Sequence, residues 1–227
     1  MGANTKIIIE FNGLPGCGKS TAVHKLIVFL KNSEYSRIPC FYNRYGRQYH
    51  SYSVLFMPCL YPFLLKMTGF SRSVSFSTSH LKYISGITVI VKQYLDFIKN
   101  ADSGIYLSDQ GIIQDLISIS YRKEIRELSS LRAVFKSLEK KNLSFLRVDC
   151  NLAVDKTLER IGTRLDGGSR LDGMDWDLAK KILNIQSGNF DVVRNTCSEF
   201  ALGNHLSLDM EDSAEENANK LLASLQL

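Results

Sequence analysis

The chain is short of the features that would place it outside ordinary globular proteins. It has four prolines and one tryptophan in 227 residues, and no biased or repetitive tract. That excludes collagen-like and proline-rich disordered classes. No apolar run is long enough to cross a bilayer: the most apolar stretch, Val54 to Leu65, is only twelve residues and contains Pro58 and Pro62. The amino-terminal segment lacks the apolar stretch and small-residue cleavage site of a secretory signal, so a cytoplasmic location is expected. The five cysteines (17, 40, 59, 150 and 197) form no C-x-x-C pair and no Cys/His zinc spacing, and are read as reduced thiols. The four histidines are scattered and show no pairing with an acid or nucleophile in the sequence, which disfavours a histidine-based hydrolase. Strong charge of one sign is missing too. The net charge of +5 suits anionic small molecules but falls short of a polyelectrolyte binder, and nothing demands nucleic acid as a partner.

Short apolar runs alternate with segments of helical period. The runs are KIIIEF (6–11), RIPCFY (37–42), GIYLSD (104–109), LSFLRVD (143–149) and NHLSLD (204–209). This alternation predicts βαβ units: an α/β three-layer sandwich with a five-stranded, mostly parallel sheet and helices on both faces. Helical stripes are expected at Val154, Thr157, Leu158, Ile161 and Leu165, and at Ala214, Ala218, Leu221, Leu222 and Leu225. Ile84, Ile87, Val91, Leu95 and Ile98 suggest a long helix before the third strand. Ser213 with Glu216 three residues on reads as a capping box opening the last helix.

Directly after the first strand comes GLPGCGKST, Gly13 to Thr21, followed by a stripe of Val23, Leu26, Ile27 and Leu30. Strand, glycine-rich loop and helix in this order satisfy the phosphate-loop pattern G-x-x-x-x-G-K-[ST]. Gly13, Leu14, Pro15, Gly16, Cys17, Gly18, Lys19, Ser20 and Thr21 are the expected nucleotide-binding residues. Backbone N–H groups of such a loop converge on phosphate oxygens at the positive end of the helix. Lys19 reaches the β and γ phosphates as a point charge, and the Ser20 hydroxyl joins a Mg²⁺ shell. ATP and Mg²⁺ are therefore the expected ligands. Cys17, inside the loop and close to Lys19, is expected to have a lowered thiol pKa, and bound ATP is expected to shield it from alkylation.

With these residues the chain resembles the small phosphate-loop kinases, the group containing thymidylate kinase, adenylate kinase and the deoxynucleoside kinases. The likeness runs from GLPGCGKST through YLSDQG to LERIGTRLDGGSR. It implies a single kinase domain over 1–227, with an acceptor-binding insert at about 40–101 and a lid at about 160–175. It also implies transfer of the γ-phosphoryl of Mg-ATP to a small acceptor. Asp109, at the end of the third strand, is then a catalytic and metal residue with Ser20; capping of the helix that follows is its other reading. Asp149, ending the fourth strand, is the competing metal candidate. Arg160, Arg164 and Arg170 are the lid arginines that stabilise the transferring group.

Arg44 and Arg47, with Tyr45 among further aromatics, form the expected acceptor site, and Arg122 is added to it. Arginine grips phosphate as a fork, and no carboxylate stands at this strand end, so an anionic acceptor such as a nucleoside monophosphate is expected. The alternatives are a nucleotide-dependent regulatory NTPase, or a kinase of a nucleoside, sugar or polynucleotide hydroxyl. A homo-oligomer is compatible with all of them.

Overall fold

The structure is a computed structural model. It describes residues 6–32, 40–42, 102–119, 144–163, 171–200 and 204–225, together with residues 94, 96, 97, 99 and 100 and residues 132, 135, 136 and 139. Five strands, β1 (Lys6–Asn12), β2 (Cys40–Tyr42), β3 (Gly104–Ser108), β4 (Ser144–Asn151) and β5 (Asn204–Asp209), pair in the order β2-β3-β1-β4-β5. All the pairings are parallel. β2 has only three residues, so the body of the sheet is the other four strands. The helices are α1 (Lys19–Asn32), α2 (Ile112–Ile119), α3 (Val154–Gly162), α4 (Trp176–Ser198) and α5 (Ala214–Leu225).

Alternation along each strand divides the sheet into two unlike faces. On one face Ile9 and Phe11 of β1, Ile105 and Leu107 of β3, Leu146, Val148 and Cys150 of β4, and Leu208 of β5 form an apolar core with Ala22, Val23, Leu26 and Leu30 of α1 and Leu221 of α5. Each fully buried aliphatic side chain contributes ~1.5–3 kcal/mol to holding these layers together. The opposite face carries Glu10, Asn12, Ser108, Arg147 and Asp149, all buried. A second apolar cluster joins Leu14 to Leu158 and Ile161 of α3 and to Ala179, Ile182 and Leu183 of α4.

The last helix starts as its capping box predicts: Ser213 N–H donates to Glu216 Oε2 at 2.9 Å, and Glu216 N–H donates to Ser213 Oγ at 3.2 Å. α4, with 23 residues, goes unanticipated in the sequence reading. Its signals are Asp175, whose carboxylate accepts the Leu178 N–H at 3.0 Å, and a buried stripe at 179, 182, 183, 186, 190 and 193. The positions proposed for the long helix before β3 lie outside the described residues, although Tyr94, Asp96, Phe97, Lys99 and Asn100 are helical. Among the described residues no helix is long and apolar enough to cross a membrane.

Candidate active site

β1 runs into the loop at Gly13, and α1 begins at Lys19. Gly16 has φ +88°, and a Cβ there would lie 2.7 Å from Ile161 Cγ1, so the turn admits no side chain without displacement. The first helical bond of α1 runs from Ala22 N–H to the Gly18 carbonyl at 3.0 Å. The amides of Gly18, Lys19, Ser20 and Thr21 precede it and have no partner within the helix, which makes this end an anion-attracting terminus. The donor set is narrower than the whole motif. Gly13 N–H donates to Gln114 Oε1 of α2 at 3.1 Å, Cys17 N–H donates to the Leu14 carbonyl at 3.2 Å, and Pro15 has no N–H. The Leu14 side chain packs into the second core.

Lys19 Nζ donates to the carbonyls of Gly13 at 2.9 Å and Leu14 at 2.8 Å, so its charge lies over the loop. Ser20 Oγ donates to Asp109 Oδ2 in a short hydrogen bond across 89 residues of sequence. Asp109 is buried immediately after β3. It is not the cap of α2. That position belongs to Glu10, whose carboxylate accepts from Ile112 N–H at 3.0 Å and Ile113 N–H at 3.4 Å. Gly111 lacks a side chain because a Cβ there would collide with the Glu10 carboxyl group. Burial raises the Glu10 pKa from 4.5 to about 7, against the lowering effect of the two amides and the Tyr94 hydroxyl. The sequence reading missed Glu10; its signal was one carboxylate inside the apolar strand KIIIEFN.

Arg160, on α3, donates from Nη1 to the Cys17 carbonyl at 2.9 Å and from Nη2 to the Met210 carbonyl at 2.8 Å. It ties the back of the loop to the end of β5. Arg164 and Arg170 lie outside the described residues, as do Arg44, Tyr45, Arg47 and Arg122.

Three sequence expectations change in the fold. Asp149, the competing metal candidate, lies 3.4 Å from Arg147 Nε and 2.8 Å from His205 Nε2, and is held in an ionic cluster under α4. His205 therefore does pair with an acid, 56 residues away, where parallel strands put Arg147 beside it in register. Cys17 is fully buried in the first core, so alkylation at a solvent-facing thiol is not what this loop offers.

A cleft of about 600 Å³ opens beside the start of the loop, lined by Gly13, Leu14, Asn151, Phe190, Asp209 and Glu211 among others. Across solved structures the chain is similar to a deoxyadenosine kinase from M. mycoides with bound dATP, at 15% identity and TM-score 0.52, over 97% of this chain and 100% of that one. The fold is nucleotide-kinase-like. No family model matches the chain, and no curated protein matches it. The glycine-rich loop touches the end of β3 through Ser20 and Asp109, and α3 through Arg160.

Proposed function

We propose that the chain is an ATP-dependent phosphotransferase that moves the γ-phosphoryl of Mg-ATP to a small acceptor. The observation that carries this reading is the hydrogen bond joining Ser20 of the loop to Asp109 at the end of β3. It sets a hydroxyl and a carboxylate side by side next to the amides of a helix terminus and the Lys19 ammonium. Hard oxygen donors of this kind suit Mg²⁺, which keeps most of its shell from water and phosphate oxygens. Among the described residues no three His, Cys, Asp or Glu side chains converge on one point, so the protein would offer the ion few ligands. When bound, the ion would neutralise charge on the phosphates.

In this reading the amides of residues 18–21 hold the phosphate tail. Lys19 leaves the carbonyls of Gly13 and Leu14 for the β and γ oxygens. Asp109 accepts the proton of an acceptor hydroxyl, and with Ser20 it would help hold Mg²⁺. Arg160 keeps the loop in shape, and Arg164 and Arg170 close over the transferring group. Little covalent work is asked of the protein, so positioning and electrostatics supply the acceleration. Arg44, Tyr45, Arg47 and Arg122, within an insert at 40–101 and beyond it, would hold an anionic acceptor such as a nucleoside monophosphate. A nucleoside as acceptor is the second reading, and the likeness to a deoxyadenosine kinase favours it.

The test is ADP release in the presence of Mg-ATP with a panel of nucleosides and nucleoside monophosphates. Acceptor-stimulated release is expected, and Lys19→Ala should lower it by about 10²–10³-fold. ATP consumption that responds to no small acceptor would contradict the transferase reading, and full turnover by Lys19→Ala would contradict the role of the lysine.

A further inference from the structure

Two thiols from distant parts of the chain meet beneath the phosphate loop. Cys17 belongs to the loop and Cys150 to the end of β4, and both are buried in the same core, at 0% and 2% exposure. Their side chains converge on the space above Gly13. Gly13 is the gap that lets them meet: a Cβ on it would lie 2.9 Å from Cys17 Sγ, 3.2 Å from Cys150 Cβ and 2.5 Å from the Cys150 carbonyl oxygen. Lys19 Nζ stands 3.9 Å from Cys17 Sγ. The adjacent Cys150 thiol, helped by Lys19, brings the Cys17 pKa from 9.0 down to about 6 in spite of burial. Cys150 is pushed upward by that same contact and by burial. One sulfur is thus prepared as a nucleophile and the other, still protonated, stands ready to resolve it. The cleft beside the loop reaches Gly13 and Cys150, which gives a small neutral reagent a way in.

We propose that Cys17 and Cys150 are an oxidation site, at which a hydroperoxide joins them in a disulfide that ties the phosphate loop to β4. The Cys17 thiolate attacks a peroxide oxygen, the O–O bond breaks, and hydroxide leaves and takes up a proton. The Cys150 sulfur then attacks the Cys17 sulfenic acid, the S–O bond breaks, and water leaves with the Cys150 proton. With hydrogen peroxide the two thiols lose two electrons and the oxidant becomes two waters. Contracting the neighbouring pair to a covalent S–S distance of about 2.05 Å moves Cys17, whose neighbours Gly18 and Lys19 carry phosphate-binding donors. Oxidation therefore lowers nucleotide affinity, a consequence that rests on the proposed function, whereas the cross-link itself does not.

The full chain is treated with hydrogen peroxide, digested, and mapped by mass spectrometry, with ATP binding followed in parallel by titration. A Cys17–Cys150 linked peptide that dithiothreitol releases is expected, while Cys197, whose pKa burial raises, stays reduced. ATP affinity is expected to fall at least about tenfold on oxidation, the loss from misplacing one charged hydrogen bond. In Cys150→Ala, and independently in Cys150→Ser, no linked peptide should form, and Cys17 oxidised by peroxide should remain as a sulfenic acid that dimedone labels. No linked peptide, or oxidation of Cys197 at the same rate, overturns the site. A linked peptide with unchanged ATP affinity overturns the regulatory consequence. A reduced protein that binds no ATP while still forming the linked peptide points to failure of the kinase reading and leaves the oxidation site standing.

Discussion

Burying Glu10 makes stability depend on pH in a direction opposite to that of most carboxylates. Its pKa is 4.5 in an unfolded chain and about 7 in the fold. Below about pH 4.5 both states hold the proton, and the group's contribution is fully present. Between about 4.5 and 7 the unfolded state has released the proton and the folded state still keeps it, so stability falls as pH rises, by up to about 1.4 kcal/mol per pH unit. Above about 7 both states are ionised and the contribution is gone. Integrated from pH 5 to pH 8, the loss from this one site is ~2–3 kcal/mol. Glu10→Gln keeps the size and one acceptor for the α2 amides but cannot ionise. Urea unfolding of both proteins at pH 5 and pH 8 isolates the site, because every other titrating group is common to them. The variant is expected to gain ~2–3 kcal/mol on the wild type between the two pH values. An identical pH dependence in the two proteins would refute a carboxyl group that stays protonated to about pH 7.

Asp149→Asn should destabilise the fold by ~3–5 kcal/mol, since it leaves the buried Arg147 guanidinium without its carboxylate; denaturant titration measures this. Gly111→Ala should cost ~1–3 kcal/mol by forcing Glu10 off the α2 amides, and the same titration reads it. Asp109→Asn removes a charge beside Ser20 while keeping its shape; it should slow phosphoryl transfer by about 10²-fold or more and raise the Mg²⁺ concentration needed for half-maximal rate. Gly16→Ala, at φ +88° and against Ile161, should weaken ATP-dependent thermal stabilisation, because a side chain there displaces the turn that precedes the donor amides.

What could be read in the chain was local and contiguous. GLPGCGKST contains its own turn, glycines and helix start within nine residues, and the hydrogen bonds that make it a helix terminus are all short-range. The capping box at Ser213 and the apolar runs that became β1, β3, β4 and β5 were legible for the same reason: period and capping chemistry act over a few residues. α4 is also legible in principle, through Asp175 and its stripe, although a glycine-rich stretch precedes it.

The choice between the readings of Asp109 could not be made that way. Asp is a good helix cap, and the residues after it begin a helix, so local chemistry supported capping as well as catalysis. Only the parallel pairing of β1 with β3 brings Glu10 alongside Ser108 and hands it the α2 amides, which leaves Asp109 for Ser20. The same holds for Arg160, 143 residues from its partner Cys17, and for the ionic cluster of Arg147, Asp149 and His205. Sequence by itself determined the phosphate-loop motif and the βαβ character, because those rest on turn conformation and periodicity along the chain. Tertiary structure alone decided which carboxylate caps and which faces the loop, because in a parallel sheet the strands that meet are joined by long crossovers and their partners are set by packing.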